Sequence, residues 1–295
     1  MSKTTIHIDR DDSVFYFLKA SKYDIISGNS NISINSRKVD NDIYIKMNKN
    51  SWHNGVGNVI DMTPDHDLDM LKHLKNYDMN PPEYIFCNNV KDYYRLMNKK
   101  INYMIKPFYC ARTIGQLLVN TENIISVIND ASLIKDANKF NKKYNVDIST
   151  CKNIGEESKC KNAISETDFY LSEELHFTEE YRVLYMRGVD PSDYIICKRY
   201  GYKANSEDER KSILLDSTTD HIIRESGIIE KIADFGDNHR SPMLSFDVAF
   251  YKGNPYIFEY SVEFATEFTG ERSVIEHHVN TAIDTEIKLI KNGDS

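Results

Sequence analysis

The sequence predicts an α+β/α/β chain on three observations. Over the first hundred of its 295 residues, short apolar runs alternate with segments of helical spacing, the arrangement that builds an α/β layer. At 243–261 two apolar, β-branched and aromatic runs flank Lys252-Gly253-Asn254-Pro255. This reads as a β-hairpin, because glycine accepts a positive φ in the turn and proline stops ladder pairing. At 273–291, Val274, Val279, Ile283, Ile287 and Ile290 share the apolar face of an amphipathic helix.

In order along the chain, 4–8 reads as a strand, 13–20 as a helix, and 42–47 and 58–62 as strands. Leu68, Leu71 and Leu74 stand at helical spacing within 67–77, and Pro81-Pro82 closes that helix. A strand at 83–87 and a basic amphipathic helix at 90–100 follow, then two short strands, 103–105 and 116–119. Thr121 or Asn123 caps a helix over 121–130, 132–144 is helical, and the polar segment 151–164 is a loop. Segments 169–175 and 180–187 read as a second hairpin-like pair. Next come an apolar strand at 194–199, a charged loop or lid at 206–218, a helix at 221–231 and a turn at 237–242. His7, His53, His66 and His73 read as surface or turn residues, and His277-His278 as a solvated pair.

Bulk composition narrows the function classes. An apolar fraction of 40% and a charged fraction of 28% belong to a soluble globular protein, and no run approaches the ~20 apolar residues of a membrane span. The first residues lack the apolar core of a secretory signal. Cysteines 87, 110, 151, 160 and 197 are odd in number and form no CxxC pair, which argues for a reducing compartment and against a zinc site. The expected location is the cytoplasm. Enrichment in Asn, Ile, Lys, Asp and Tyr fits an AT-rich genome such as that of a phage or virus, whose protein would act in the host cytoplasm. The net charge of −8 speaks against general nucleic-acid binding but leaves room for a local basic pocket.

Two places carry chemistry. Asp247 and Glu259 sit among hydrophobes in the two arms of the late hairpin, where a carboxylate costs free energy unless it is paired or bound to a cation. Cross-strand neighbours lie roughly 5 Å apart, so the two acids can converge on Mg²⁺, which takes one or two protein carboxylates beside water and phosphate oxygens. The bland alternative is one outward-facing acid and one salt-bridged acid. Earlier, 103–105 ends in Lys106-Pro107 and leads into a loop with Arg112, Thr113 and Gly115, a composition able to wrap phosphates. A plain hairpin with surface cations is the competing reading.

The order of these features over roughly residues 83–290 resembles the ATP-grasp superfamily, and in particular small divergent phage and viral carboxylate–amine ligases. The resemblance implies the ATP-grasp fold: two α+β subdomains gripping a nucleotide, at 101–170 and 171–295, preceded by a small preATP-grasp α/β domain at 1–100. Lys106 matches the family's phosphate lysine, and 110–115, with Arg112 and Thr113, its phosphate-covering loop. The segment 172–175, with Glu173, Glu174 and Leu175, matches the hinge that pairs with adenine, and Glu180 the acid on the ribose. Arg182 resembles the arginine beside acyl phosphate or substrate, and Lys198 and Arg199 the basic pair ending the next strand. Asp247 and Glu259 match the magnesium carboxylates, with Ser261 where the family's Glu-x-Asn motif has asparagine. Lys91 and Arg95 are candidates for the family's earlier lysine.

The resemblance therefore implies ATP and Mg²⁺ as cofactors, Lys106, Arg182 and Arg199 as catalytic cations, and an amino acid, peptide or protein as carboxylate donor and amine acceptor. A nucleotide-binding regulatory or interaction protein on a decayed scaffold is the alternative. A nuclease or phosphotransferase is disfavoured by the acidic balance. Three simpler readings stay open: Arg182 paired with Glu173 or Glu174, Lys198 as a surface cation, and Tyr260 as a packing residue.

Overall fold

A computed structural model describes residues 4–9, 18, 22–27, 42–47, 58–65, 67–87, 90–107, 117–127, 169–177, 179–199, 212–214, 221–262 and 272–293. The chain divides into two compact units, one formed by Met1–Pro81 and Phe177–Ser295, the other by Pro82–His176.

In the first unit, β1 (Thr4–Ile8), β2 (Tyr23–Ser27), β3 (Ile43–Lys46) and β4 (Val59–Asp61) form a parallel sheet in the order β2-β1-β3-β4. Isoleucines 6, 8, 43, 45 and 60 are fully or almost fully buried in it. Helix α1 (Asp67–Asn76) follows β4. His7, expected at the surface or in a turn, lies in β1, half-buried against the Tyr44 ring at 4.7 Å and 3.1 Å from Asp42.

The same unit holds an antiparallel sheet of five strands. These are β9 (Glu179–Met186), β10 (Ile195–Arg199), β11 (Ser212–Leu214), β12 (Met243–Tyr251) and β13 (Asn254–Ser261), in the order β11-β10-β9-β12-β13. At one end of this sheet, Leu184, Met186, Ile195, Cys197 and Met243 join the isoleucines of the parallel sheet in a single core. Helix α5 (Arg272–Asn292) completes that core with Ile275, Val279, Ala282, Ile283 and Ile287. His278, read as solvated, is buried on α5, and burial lowers its pKa.

The predicted helix at 221–231 is two helices, α3 (His221–Glu225) and α4 (Ile228–Asn238). Gly227 separates them with φ of 71°, a conformation that breaks helical geometry. Inside α4, a Cβ on Gly236 would come within 2.5 Å of the Tyr185 ring, so this helix lies directly on β9.

The second unit carries β5 (Tyr84–Ile85), β6 (Tyr103–Pro107), β7 (Leu117–Val119) and β8 (Phe169–Glu173), an antiparallel sheet in the order β5-β8-β6-β7. It also carries α2 (Val90–Leu96). Because β5 ladders to β8, residues 82–100 stand with this sheet and not with the N-terminal one. Tyr93, Tyr103, Ile105, Phe169 and Leu171 form its core. The helical turn after β7 is capped by Asn120, whose Oδ1 accepts from the amides of Glu122 (2.9 Å) and Asn123 (3.1 Å), in place of the expected Thr121 or Asn123.

The expected pairing of 169–175 with 180–187 is overturned as well. Strands β8 and β9 are not a hairpin: β8 pairs with β5 and β6, and β9 with β10 and β12. Each strand finds both its partners elsewhere, so adjacency in sequence does not become pairing. The predicted segments 13–20, 132–144 and 151–164 lie, except for Leu18, outside the described residues, as do His53 and His66.

Candidate active site

The site is built on one row of the five-stranded sheet. Asp247 of β12 is in register with Arg182 of β9 on one side and with Glu259 of β13 on the other, and Arg182 is in register with Cys197 of β10. Residues in register share a face, so the row runs from Cys197, fully buried, through Arg182 and Asp247 to exposed Glu259.

A defect in the ladder makes this possible. The turn is Lys252-Gly253, both at positive φ (51° and 79°), as a two-residue type I′ hairpin requires. Counted from that turn without interruption, Asp247 would face Phe258 and Glu259 would point to the opposite side. A β-bulge between Asp247 and Val248 sets Val248 against Ile257 and Asp247 against Glu259, leaving Phe258 as the extra residue. The ring of Phe258 stacks on Phe177 at 5.4 Å. One row further, Ser245 stands opposite Ser261, so Ser261 shares the face of the two acids.

Arg182 holds Asp247 by a fork: Nε donates to Oδ1 at 2.7 Å and Nη2 to Oδ2 at 2.9 Å, with the side chains 16% and 7% exposed. This settles the partner of Arg182, which is neither Glu173 nor Glu174. Glu180, two residues back on the same face of β9, is in register with Arg199 at the end of β10. Lys198 belongs to the other face. It donates to Glu179 Oε1 at 2.6 Å and sits 5.5 Å from the Tyr181 ring. Its hydrogen bond to Glu179 raises the lysine pKa and lowers that of the acid, while burial and Glu179 push Tyr181 up to about 12. The structure therefore does not bring Lys198 to the side of Arg182 and Asp247.

In the second unit, Lys106 is half-buried in β6, in register with Tyr170, while its neighbour Ile105 faces the core. The Glu173 amide donates to the Glu83 carbonyl at 2.7 Å and the Glu174 amide to the Asn102 carbonyl at 3.0 Å. Leu175 follows directly. Lys91 and Arg95 are exposed on α2, Arg95 within 3.4 Å of Asp92. Arg112 and Thr113 lie outside the described residues.

Two carboxylates on one face suit a hard divalent cation of the Mg²⁺ kind. Each carboxylate oxygen carries two lone pairs, so the arginine fork on Asp247 is compatible with a cation and fixes the orientation of the carboxylate. Among the described residues no group of three or more His, Cys, Asp or Glu is placed to hold a metal ion.

Compared with solved structures, the chain is similar over nearly its whole length to ATP-grasp ligases. A D-alanine–D-alanine ligase from Bacillus anthracis shares 10% identity at a TM-score of 0.56, covering 99% of this chain and 100% of the other. A RiPP-associated ATP-grasp ligase from Chryseobacterium gregarium, in complex with ADP and a leader and core peptide, shares 9% identity at a TM-score of 0.58, covering 96% and 97%. The ATP-grasp ligase PsnB, complexed with a phosphomimetic variant of a minimal precursor, Mg and ADP, shares 10% identity at 0.53, covering 97% and 98%.

The chain has the ATP-grasp fold.

No family model matches its sequence, and no curated protein is similar to it in sequence. No helix among the described residues is long and apolar enough to cross a membrane. Sequence reasoning missed the bulge at Phe258, the Arg182–Asp247 fork, and a buried group around Asp65, His239 and Tyr260. None of these has a local pattern, because the partners are from 12 to 195 residues apart.

Proposed function

We propose that this chain is an ATP- and Mg²⁺-dependent carboxylate–amine ligase that works through an acyl phosphate on an amino acid, peptide or protein. The observation that carries the reading is the in-register row Arg182–Asp247–Glu259 on one face of a sheet in an ATP-grasp fold. Asp247 and Glu259, helped by Ser261, would hold Mg²⁺, which on binding neutralises charge on the phosphate oxygens. Arg182 is anchored at Asp247 by two of its five N–H donors, so others remain to meet an anionic oxygen as charge develops. Arg199, Lys106, Arg112 and Thr113 carry the remaining phosphate contacts. Lys198 is taken into the reading only as a residue that fixes Glu179. With the Glu173 and Glu174 amides donating within the fold, the adenine contact falls to the backbone at Leu175, and Glu180 takes the ribose.

In the reaction a substrate carboxylate oxygen bonds to the γ-phosphorus as the bond to ADP breaks. An amine then bonds to the acyl carbon, phosphate departs with the electron pair, and the amine loses a proton. The peptide class is favoured by the neighbours solved with a leader and core peptide and with a minimal precursor. The test is acceptor-dependent release of ADP and phosphate across an amino-acid and peptide screen, with loss of turnover expected in Asp247→Asn and Glu259→Gln. Retained turnover in both variants would overturn the assignment.

A second reading, nucleotide binding without turnover, is favoured by serine at 261 where the ligase motif has asparagine. It expects thermal stabilisation by ATP with no phosphate release under any acceptor.

A further inference from the structure

Tyr260 stands between Glu259 and Ser261, and its side chain leaves β13 on the opposite face of the sheet. Its hydroxyl donates to Asp65 Oδ2 at 2.5 Å and lies 3.1 Å from His73 Nδ1. Asp65, in the connection from β4 to α1, also meets His239 Nε2 at 3.0 Å and Arg240 Nη2 at 2.6 Å, and its side chain is 8% exposed. The Ser241 amide donates to His239 Nδ1 at 3.0 Å, so Nε2 carries the proton directed at Asp65. Burial alone would raise the Asp65 carboxyl, but the hydrogen bonds from His239, Tyr260 and Arg240 outweigh it and hold it well below the usual carboxylate range.

Packing does not account for this arrangement. The Tyr260 ring lies 5.1 Å from Phe235, 5.7 Å from Phe246 and 5.6 Å from His239, a niche that phenylalanine would fill equally well. The hydroxyl and the buried acid behind it do something else. Among the described residues, strand β13 is at the edge of its sheet, laddered to β12 alone, and that ladder is interrupted at Phe258, next to Glu259. Backbone in such a place opens easily, since few ladder bonds hold it. The outer side of the strand is tied down: the Tyr260 amide donates to Met70 Sδ at 3.4 Å, and Asn80 Nδ2 donates to the Pro255 carbonyl at 3.1 Å. The hydroxyl bond to Asp65 ties the side chain of the residue next to Glu259.

We propose that Tyr260, tethered to Asp65, is a positioning residue that fixes the edge strand so that Glu259 and Ser261 meet a divalent cation together with Asp247. The inference rests on the ligase reading for the identity of the cation. Neither Tyr260 nor Asp65 touches the nucleotide in it.

The test compares the whole protein with Tyr260→Phe and Asp65→Asn, and with Ile283→Val as a control that loosens the core elsewhere. Two readouts are taken: hydrogen exchange of the amides at 258–261, and the Mg²⁺ concentration giving half-maximal ADP binding by calorimetry. In both tether variants exchange at 258–261 is expected to quicken about ten-fold or more while β9 keeps its protection. The Mg²⁺ half-point should rise about 10- to 100-fold, the usual effect of losing a group that orients a metal ligand. The control should move neither. Unchanged exchange, or an unchanged Mg²⁺ half-point in both tether variants, overturns the proposal. Wild-type protein that takes up no ADP with Mg²⁺ overturns the ligase reading and the cation role with it; the exchange result distinguishes that failure from failure of the tether.

Discussion

Replacing Arg182 and Asp247, singly and together, separates what their fork does for stability from what it does for chemistry. Removing one member of a buried pair leaves a desolvated charge and costs about 3–5 kcal/mol in fully buried cases. Here the side chains are 16% and 7% exposed, so about 2–4 kcal/mol is expected for Arg182→Met or Asp247→Leu. In a unit of this size that lowers Tm by roughly 5–10 °C. The double variant replaces both charges by apolar groups, which is often neutral, so it should melt within about 1 kcal/mol of the wild type. Thermal or urea denaturation of the four proteins closes the cycle. Under the proposed ligase function, the same double variant should lose all ATP turnover although it is folded, because the proposed metal carboxylate and the arginine beside it are gone. Additive destabilisation in the double variant would refute the coupling of the two residues. Turnover in a well-folded double variant would refute the proposed role of the row in catalysis.

Other expectations follow from single observations. Lys106→Met should weaken nucleotide binding by about 1–3 kcal/mol, the worth of a charged hydrogen-bond partner, whereas Lys198→Met should leave it unchanged because Lys198 serves Glu179 on the other face; calorimetric titration with ATP discriminates. Gly236→Ala should cost about 1–3 kcal/mol, since the new methyl would meet the Tyr185 ring at 2.5 Å, and chemical denaturation measures it. The Asp65 carboxyl is held below its ordinary value of 3.8 in the folded state. Its contribution is therefore fully present above about pH 4 and is lost as pH falls through the lower folded value. The stability margin of wild type over Asp65→Asn should accordingly shrink on acidification, read from urea midpoints at successive pH values.

Much of the fold was legible because local patterns report local physics. Short apolar runs named β1, β3, β4, β6, β10, β12 and β13, and the spacing of Leu68, Leu71 and Leu74 named α1. The resemblance in the order of the motifs led to the ATP-grasp fold that the structural neighbours share. The break in 221–231 was also written locally, in Ser226-Gly227, but helical spacing continues across it and concealed two helices as one.

Pairing is another matter. Which strand lies beside which depends on contacts across the chain, so β8 and β9, neighbours in sequence, were read as one hairpin and belong to separate sheets. Register is subtler still. Composition marked Asp247 and Glu259 as acids needing a partner, since burial of a carboxylate is costly wherever it occurs. Whether they share a face turns on a single extra residue, Phe258, because strand side chains alternate with a period of two and one slip sends Glu259 to the other side. Likewise no window of sequence could join Asp65 to Tyr260, 195 positions away, or Arg182 to Asp247, 65 away, since a side-chain hydrogen bond depends on distance in space and leaves no mark on spacing in the chain.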